Sequence, residues 1–79
     1  MNMPQLISFL EEINKAQYDS HDLRLTDIYG HNQFYITLRR LRKGNYIKDQ
    51  YKIPLGKTII MTTTKGKRLL EYLGEIQND

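Results

Sequence analysis

Between residues 32 and 62 the spacing of apolar residues switches from the period of a helix to the period of a strand, and an all-helical architecture cannot accommodate that switch. Phe34, Leu38 and Leu41 fall four and three residues apart, on one face of a helix predicted over 32–43 with Asn32 as its N-cap. Arg42 and Lys43 in its last turn complement the helix dipole, and Gly44 or Asn45 supplies the left-handed residue that ends it. Residues 46–53 and 57–62 then read as two strands, rich in β-branched and aromatic side chains. Pro54, Leu55 and Gly56 make a predicted three-residue hairpin loop, because proline has the φ a turn needs and glycine accepts a positive φ. A hairpin directly after a helix excludes a three-helix bundle. A four-helix bundle would need 47–62 to be helical through Pro54 and Gly56.

The flanking segments read as helices. Leu6, Ile7, Phe9, Leu10 and Ile13 carry helical spacing over 4–16, with Pro4 placed in the first turn. Residues 17–25 are polar, Tyr18-Asp19-Ser20 reads as a turn, and Leu23-Arg24-Leu25 alternates like a short strand. Thr26 can cap a short helix over at least 27–30, with a start near Asp22 as the alternative. After the hairpin, Thr63 or Thr64 caps a last helix over about 64–76, whose buried stripe is Leu69, Leu70, Leu73 and Ile76. Tyr46 and Tyr51 are expected at half-buried strand positions. The expected architecture is a mainly helical α+β domain over all of 1–79, ordered helix, short strand, helix, helix, strand, strand, helix.

With 79 residues there is material for one small core, and without cysteine there are no disulfides, thiolate metal sites or thiol catalysis to support it. Oligomerisation is then the expected support for so small a domain. No apolar run approaches the roughly 20 residues of a membrane span, and 1–10 lack the basic flank of a signal peptide, so a cytoplasmic protein with no membrane partner is expected. The net charge of +3 conceals strong segregation. Residues 39–68 hold ten cations against Asp49 alone, a net +9, while 1–38 and 69–79 each carry −3. A positive field that concentrated attracts polyanions whatever the total charge.

The stretch LRRLRKGNYI at 38–47, the hairpin after it, and TTTKGKRLLEYL at 62–73 resemble the winged helix-turn-helix family. The resemblance is to its small bacterial and archaeal transcription regulators of the MarR and PadR kind, and runs from about Thr26 to Leu73. Leu38 and Leu41 match the end of the family's recognition helix, Ile47 the aliphatic residue opening the wing, and Thr63 with Gly66 the start of the helix after it. The chain departs from the pattern in two places: Asn45 holds the turn position where glycine is usual, and Gly30-His31 replaces a longer turn before the recognition helix. The resemblance implies a homodimeric regulator of transcription on double-stranded DNA. Its recognition helix, about 32–43, would lie in the major groove, and its wing, about 46–62, on the backbone or in the minor groove.

With Phe34, Leu38 and Leu41 inward, helical geometry turns Asn32, Gln33, Ile36, Arg39, Arg40 and Lys43 outward, with Tyr35 and Thr37 on the flanks. Asparagine and glutamine can pair with adenine and arginine with guanine. Gln33, Thr37 and Arg40 are therefore the expected base contacts, and Tyr35, Arg39 and Lys43 the expected phosphate contacts. Lys52 and Lys57 flank the hairpin tip and are expected on phosphate or in the minor groove. Lys65, Lys67 and Arg68 begin the last helix, where the dipole disfavours cations and a phosphate would relieve them. The first and last helices are the expected dimer surfaces. The alternative is a winged-helix protein-interaction module, an assembly factor or mobile-element inhibitor, with its basic face on an acidic partner. No metal, cofactor or enzyme activity is expected, since His21 and His31 form no ligand signature and neither a catalytic triad nor a glycine-rich phosphate loop can be found.

Overall fold

In a computed structural model, which describes residues 1–19 and 23–78, Asn2 starts the first helix, α1 (Met3–Asn14), with a reciprocal cap. Its side chain accepts from the Gln5 N–H at 2.9 Å, and the Gln5 side chain accepts from the Asn2 N–H at 3.0 Å. The helix stops two residues before the expected Ala16, which takes a left-handed φ of 56° and turns the chain. Of the apolar stripe that the spacing predicted, Phe9, Leu10 and Ile13 are fully buried and Leu6 and Ile7 half-buried. On the outer side Lys15 donates to Glu12 at 2.8 Å, and that contact raises the Lys15 pKa above its ordinary value.

Leu23-Arg24-Leu25 is helical rather than strand-like. It opens α2 (Leu23–Tyr29), in line with the alternative start near Asp22, and Thr26 is buried inside this helix instead of capping it. Three alternating residues are too few to separate a period of two from a period of 3.6. The strand-like contact falls earlier: Tyr18 forms an isolated antiparallel bridge with Ile60, whose N–H donates to the Tyr18 carbonyl at 2.8 Å. Ser20 of the expected turn lies outside the described residues.

Gly30 alone joins α2 to α3 (His31–Lys43). Its φ of 84° with ψ of 142° is open to glycine and rarely to other residues, so the joint depends on it. The helix begins at His31 with Gly30 in the cap position and no side-chain cap, which places Asn32 in the first turn rather than at the N-cap. At the other end Asn45, not Gly44, takes the left-handed conformation, with φ 62°. The Asn45 N–H donates to the Arg42 carbonyl at 3.0 Å and the Tyr46 N–H to the Leu41 carbonyl at 2.9 Å, which is the paired closure of a Schellman motif.

That closure uses Tyr46, so the first strand, β1 (Ile47–Lys52), is shorter than the expected 46–53. It pairs antiparallel with β2 (Lys57–Thr62) in a register running from Ile47–Thr62 to Lys52–Lys57. Ile53 leaves the strand and joins Pro54 and Leu55 in a 3-10 turn, closed by Gly56 at φ 63°. The last helix, α4 (Thr64–Asn78), is capped by Thr63, whose hydroxyl accepts from the Gly66 N–H at 3.1 Å. Of its expected stripe Leu73 is buried and Leu69 and Leu70 are half-buried, but Ile76, a turn beyond the last core residue, is exposed.

The core joins α1, α3, the inner half of the hairpin and α4 through Phe9, Leu10, Ile13, Phe34, Leu38, Leu41, Ile47, Ile60 and Leu73. Phe9 meets Tyr29 and Phe34 edge to face, with ring centroids 5.3 and 5.8 Å apart. Tyr51, expected half-buried, is 61% exposed because the hairpin extends past the helices that cover its base. The result is a mainly helical α+β arrangement with a two-stranded antiparallel sheet among the described residues.

Candidate nucleic-acid interface

The outward face of α3 is built by its inward one. Burial of Phe34, Leu38 and Leu41 rotates Asn32, Gln33, Ile36, Arg39, Arg40 and Lys43 to the surface, and all six are exposed. Ile36 occupies the middle of that arc, with the amides at the N-terminal end and the cations at the C-terminal end. No hydrogen bond or ion pair among the described residues engages the side chains of Arg39, Arg40 or Lys43.

Two expected base contacts are placed differently. Thr37 is buried, because it lies three residues after Phe34 and four before Leu41, on the inward face of the helix. A small cavity of about 180 Å³ lies there, lined by Met1, Leu6, Gln33, Thr37, Arg40 and Leu41. Gln33 is exposed, but its carbonyl oxygen accepts from the Met1 amino group at 2.9 Å. Reading adenine takes both ends of a carboxamide, so Gln33 reaches a base with both only after releasing Met1. Tyr35 is half-buried, its ring edge-on to Phe34 at 5.1 Å and to His31 at 4.8 Å.

The hairpin continues the positive surface. Lys48 and Lys57 are exposed and Lys52 is half-buried, and none of the three has an ion-pair partner among the described residues. Arg42 differs, because its guanidinium lies 3.0 Å from Asp49 and ties α3 to β1. Its Nε is buried with no hydrogen-bond partner.

Lys65 resolves its unfavourable position at the start of α4 internally. Its ammonium donates to the Gly44 carbonyl at 2.8 Å, at the negative end of α3, and lies 4.5 Å from the centre of the Tyr46 ring. The same junction takes the Thr63 N–H onto the Tyr46 carbonyl at 3.1 Å and the Thr63 hydroxyl onto the Asn45 carbonyl at 2.6 Å. Gly66 packs against the Tyr46 carbonyl so closely that a Cβ there would collide with the Tyr46 backbone. These bonds hold the end of α3, the base of the hairpin and the start of α4 as one unit, so the exposed cations of the three segments keep a fixed relation.

Sequence reasoning missed three features here: the Lys65 bond to Gly44, the Met1 bond to Gln33, and the exposure of Ile53 and Leu55 at the hairpin tip. The first two depend on residues more than twenty positions apart and leave no local pattern. The third had a signal, since Pro54 and Gly56 place Ile53 and Leu55 in a turn with nothing to pack on.

Among the described residues no cluster of His, Asp or Glu could hold a metal ion, and His21 lies outside them. No helix among them is long and apolar enough to cross a membrane. Compared with models of protein families, with curated proteins and with solved structures, the chain matches none.

Proposed function

We propose that this chain is a winged helix-turn-helix domain that binds double-stranded DNA and regulates transcription, with α3 in the major groove and the hairpin as its wing. The observation that carries the reading is the exposed arc of α3, in which amides and unpaired cations share one face beside a lysine-bearing hairpin. An α-helix fits the major groove of B-DNA, and side chains of these types match its donors and acceptors. The element order supports the fold assignment, with the Tyr18–Ile60 bridge standing where a winged helix has its first short strand.

Asn32, Gln33 and Arg40 are the proposed base readers, and Tyr35, Arg39, Lys43, Lys52 and Lys57 the proposed phosphate contacts. Thr37 drops out of the base-reading set because it is buried. The functional unit we propose is a homodimer through α1 and α4, which leave Met3, Tyr72 and Ile76 exposed. Two-fold symmetry then calls for a palindromic site. Titration of mixed-sequence duplex DNA at increasing salt tests the reading. A complex with 6–10 phosphate contacts weakens by about 10³–10⁵ between roughly 50 and 200 mM salt. No binding to any duplex at low salt overturns it.

A further inference from the structure

The hairpin tip has two features that do not serve the folded chain. Lys52 and Lys57 are direct cross-strand partners, the last pair of the register, and like charges placed opposite each other disfavour the hairpin. Beyond them Ile53 is 83% exposed and Leu55 53% exposed, although both are large aliphatic side chains. The tip is also a closed turn. Pro54 lies in the 3-10 turn, and the Gly56 N–H donates to the carbonyls of Lys52 at 2.9 Å and Ile53 at 3.1 Å. An unneeded loop would be expected to be polar and pliant; this one presents two aliphatic side chains on a closed turn between paired cations.

We infer that the tip is a wedge that bends DNA: Ile53 and Leu55 enter the minor groove and part a base step, while Lys52 and Lys57 hold the phosphates on either side. The inference rests on the DNA-binding reading above and adds a deformation to it. Cross-strand partners sit roughly 5 Å apart at their Cα atoms and project from one face of the hairpin, and a lysine side chain is long enough to reach a phosphate on either wall of a groove about 6 Å wide. Isoleucine, leucine and proline are side chains that unstack base steps when driven in from the minor groove, and the duplex then kinks toward the major groove. The cost falls on the DNA, so flexible pyrimidine–purine steps are the preferred point of entry. Charge complementarity favours this occupant over a lipid surface. Two aliphatic side chains are few for holding a protein on a bilayer, whereas the cations of α3 and the hairpin supply affinity for a polyanion and leave the wedge only the deformation.

The test uses the full chain and a short duplex with a central TA step, dyes at its ends and 2-aminopurine at the step. Wild type is expected to bring the ends together by a bend within about 20–90° and to raise 2-aminopurine fluorescence. The variant Ile53→Ser/Leu55→Ser changes only exposed positions, and circular dichroism checks that it folds. It is expected to bind the same duplex at low salt within about tenfold of wild type while leaving it straight and stacked, since phosphate contacts supply the affinity. Lys52→Ala/Lys57→Ala is expected to lower the salt slope by about two, one for each phosphate left without its lysine.

Binding by wild type without a bend, or an equal bend by the Ile53→Ser/Leu55→Ser variant, overturns the wedge and leaves the DNA-binding reading standing. Absence of duplex binding at low salt overturns both. Retention of wild type on phosphatidylcholine–phosphatidylserine vesicles, abolished in the serine variant and paired with a straight duplex, assigns the tip to a lipid surface and overturns the wedge.

Discussion

The junction of α3, β1 and α4 and the outer surface of α3 with the hairpin tip lie side by side in the chain, yet they use the same kinds of residue in opposite ways. At the junction, Lys65 reaches the Gly44 carbonyl, Thr63 bonds to Asn45, Tyr46 and Gly66, and Arg42 meets Asp49. Arg39, Arg40, Lys43, Lys48, Lys52 and Lys57 have no such partner among the described residues, and Ile53 and Leu55 face solvent. Composition therefore does not distinguish a lysine held by the fold from one left free. What distinguishes them is whether a backbone carbonyl or a carboxylate from another element lies within reach.

The contrast can be broken by substitutions that act on one region and spare the other. The largest expected effect on stability is in the core beneath both. Phe34→Ala, which removes a fully buried ring stacked edge-on against Phe9 and Tyr35, should cost about 3–5 kcal/mol in urea or thermal unfolding. So small a domain then loses most of its folded population. A cost near zero would mean that α3 is not held by this core, and its outward face would lose its basis.

The junction should respond next. Gly66→Ala forces a methyl group into the Tyr46 backbone, where no side chain can give way, and should cost about 1–3 kcal/mol. Unfolding midpoints would show it, and an unchanged midpoint would show that α4 does not dock on the hairpin base as described. Smallest for stability is Arg39→Ala/Arg40→Ala, expected within about 0.5 kcal/mol of wild type because both side chains are exposed and unpaired. Its effect should appear in duplex affinity, about 1–3 kcal/mol for Arg40 as a reader of guanine, and in a salt slope lower by about one for the phosphate contact of Arg39. If instead this variant kept its DNA affinity and became less stable, the two regions would have been assigned the wrong way round. Capture of an acidic protein partner by wild type but not by this variant, with DNA affinity unchanged, would favour the protein-interaction alternative.

Much of the fold was legible in the residues. The inward stripe of α1, the inward stripe of α3, the hairpin and the α4 boundary each follow from local spacing and turn residues, and each is present where expected to within a few residues. The segment 23–25 folds as helix rather than the expected strand because two leucines around an arginine fit either period. The candidate site was legible as a face but not in all its members. Thr37 sits one position beyond Ile36 in sequence, yet the 100° turn between them puts Thr37 with Phe34 and Leu41 on the buried side and leaves Ile36 open.

Helical and strand periods are properties of a few consecutive residues, so the amino-acid sequence by itself determined most of the helix and strand segments, which face of α3 turns inward, and that the positive charge gathers in 39–68. Only the tertiary structure decided that Asn45 rather than Gly44 takes the left-handed turn, that Lys65 is held by Gly44, and that Gln33 is engaged by Met1. Apart from the choice of turn residue, each of these depends on what a distant element brings within a few ångströms. The pairing of Asn45 with Thr63 across the junction fits the same rule: the turn residue is local, and the hydroxyl that donates to its carbonyl arrives from eighteen positions away.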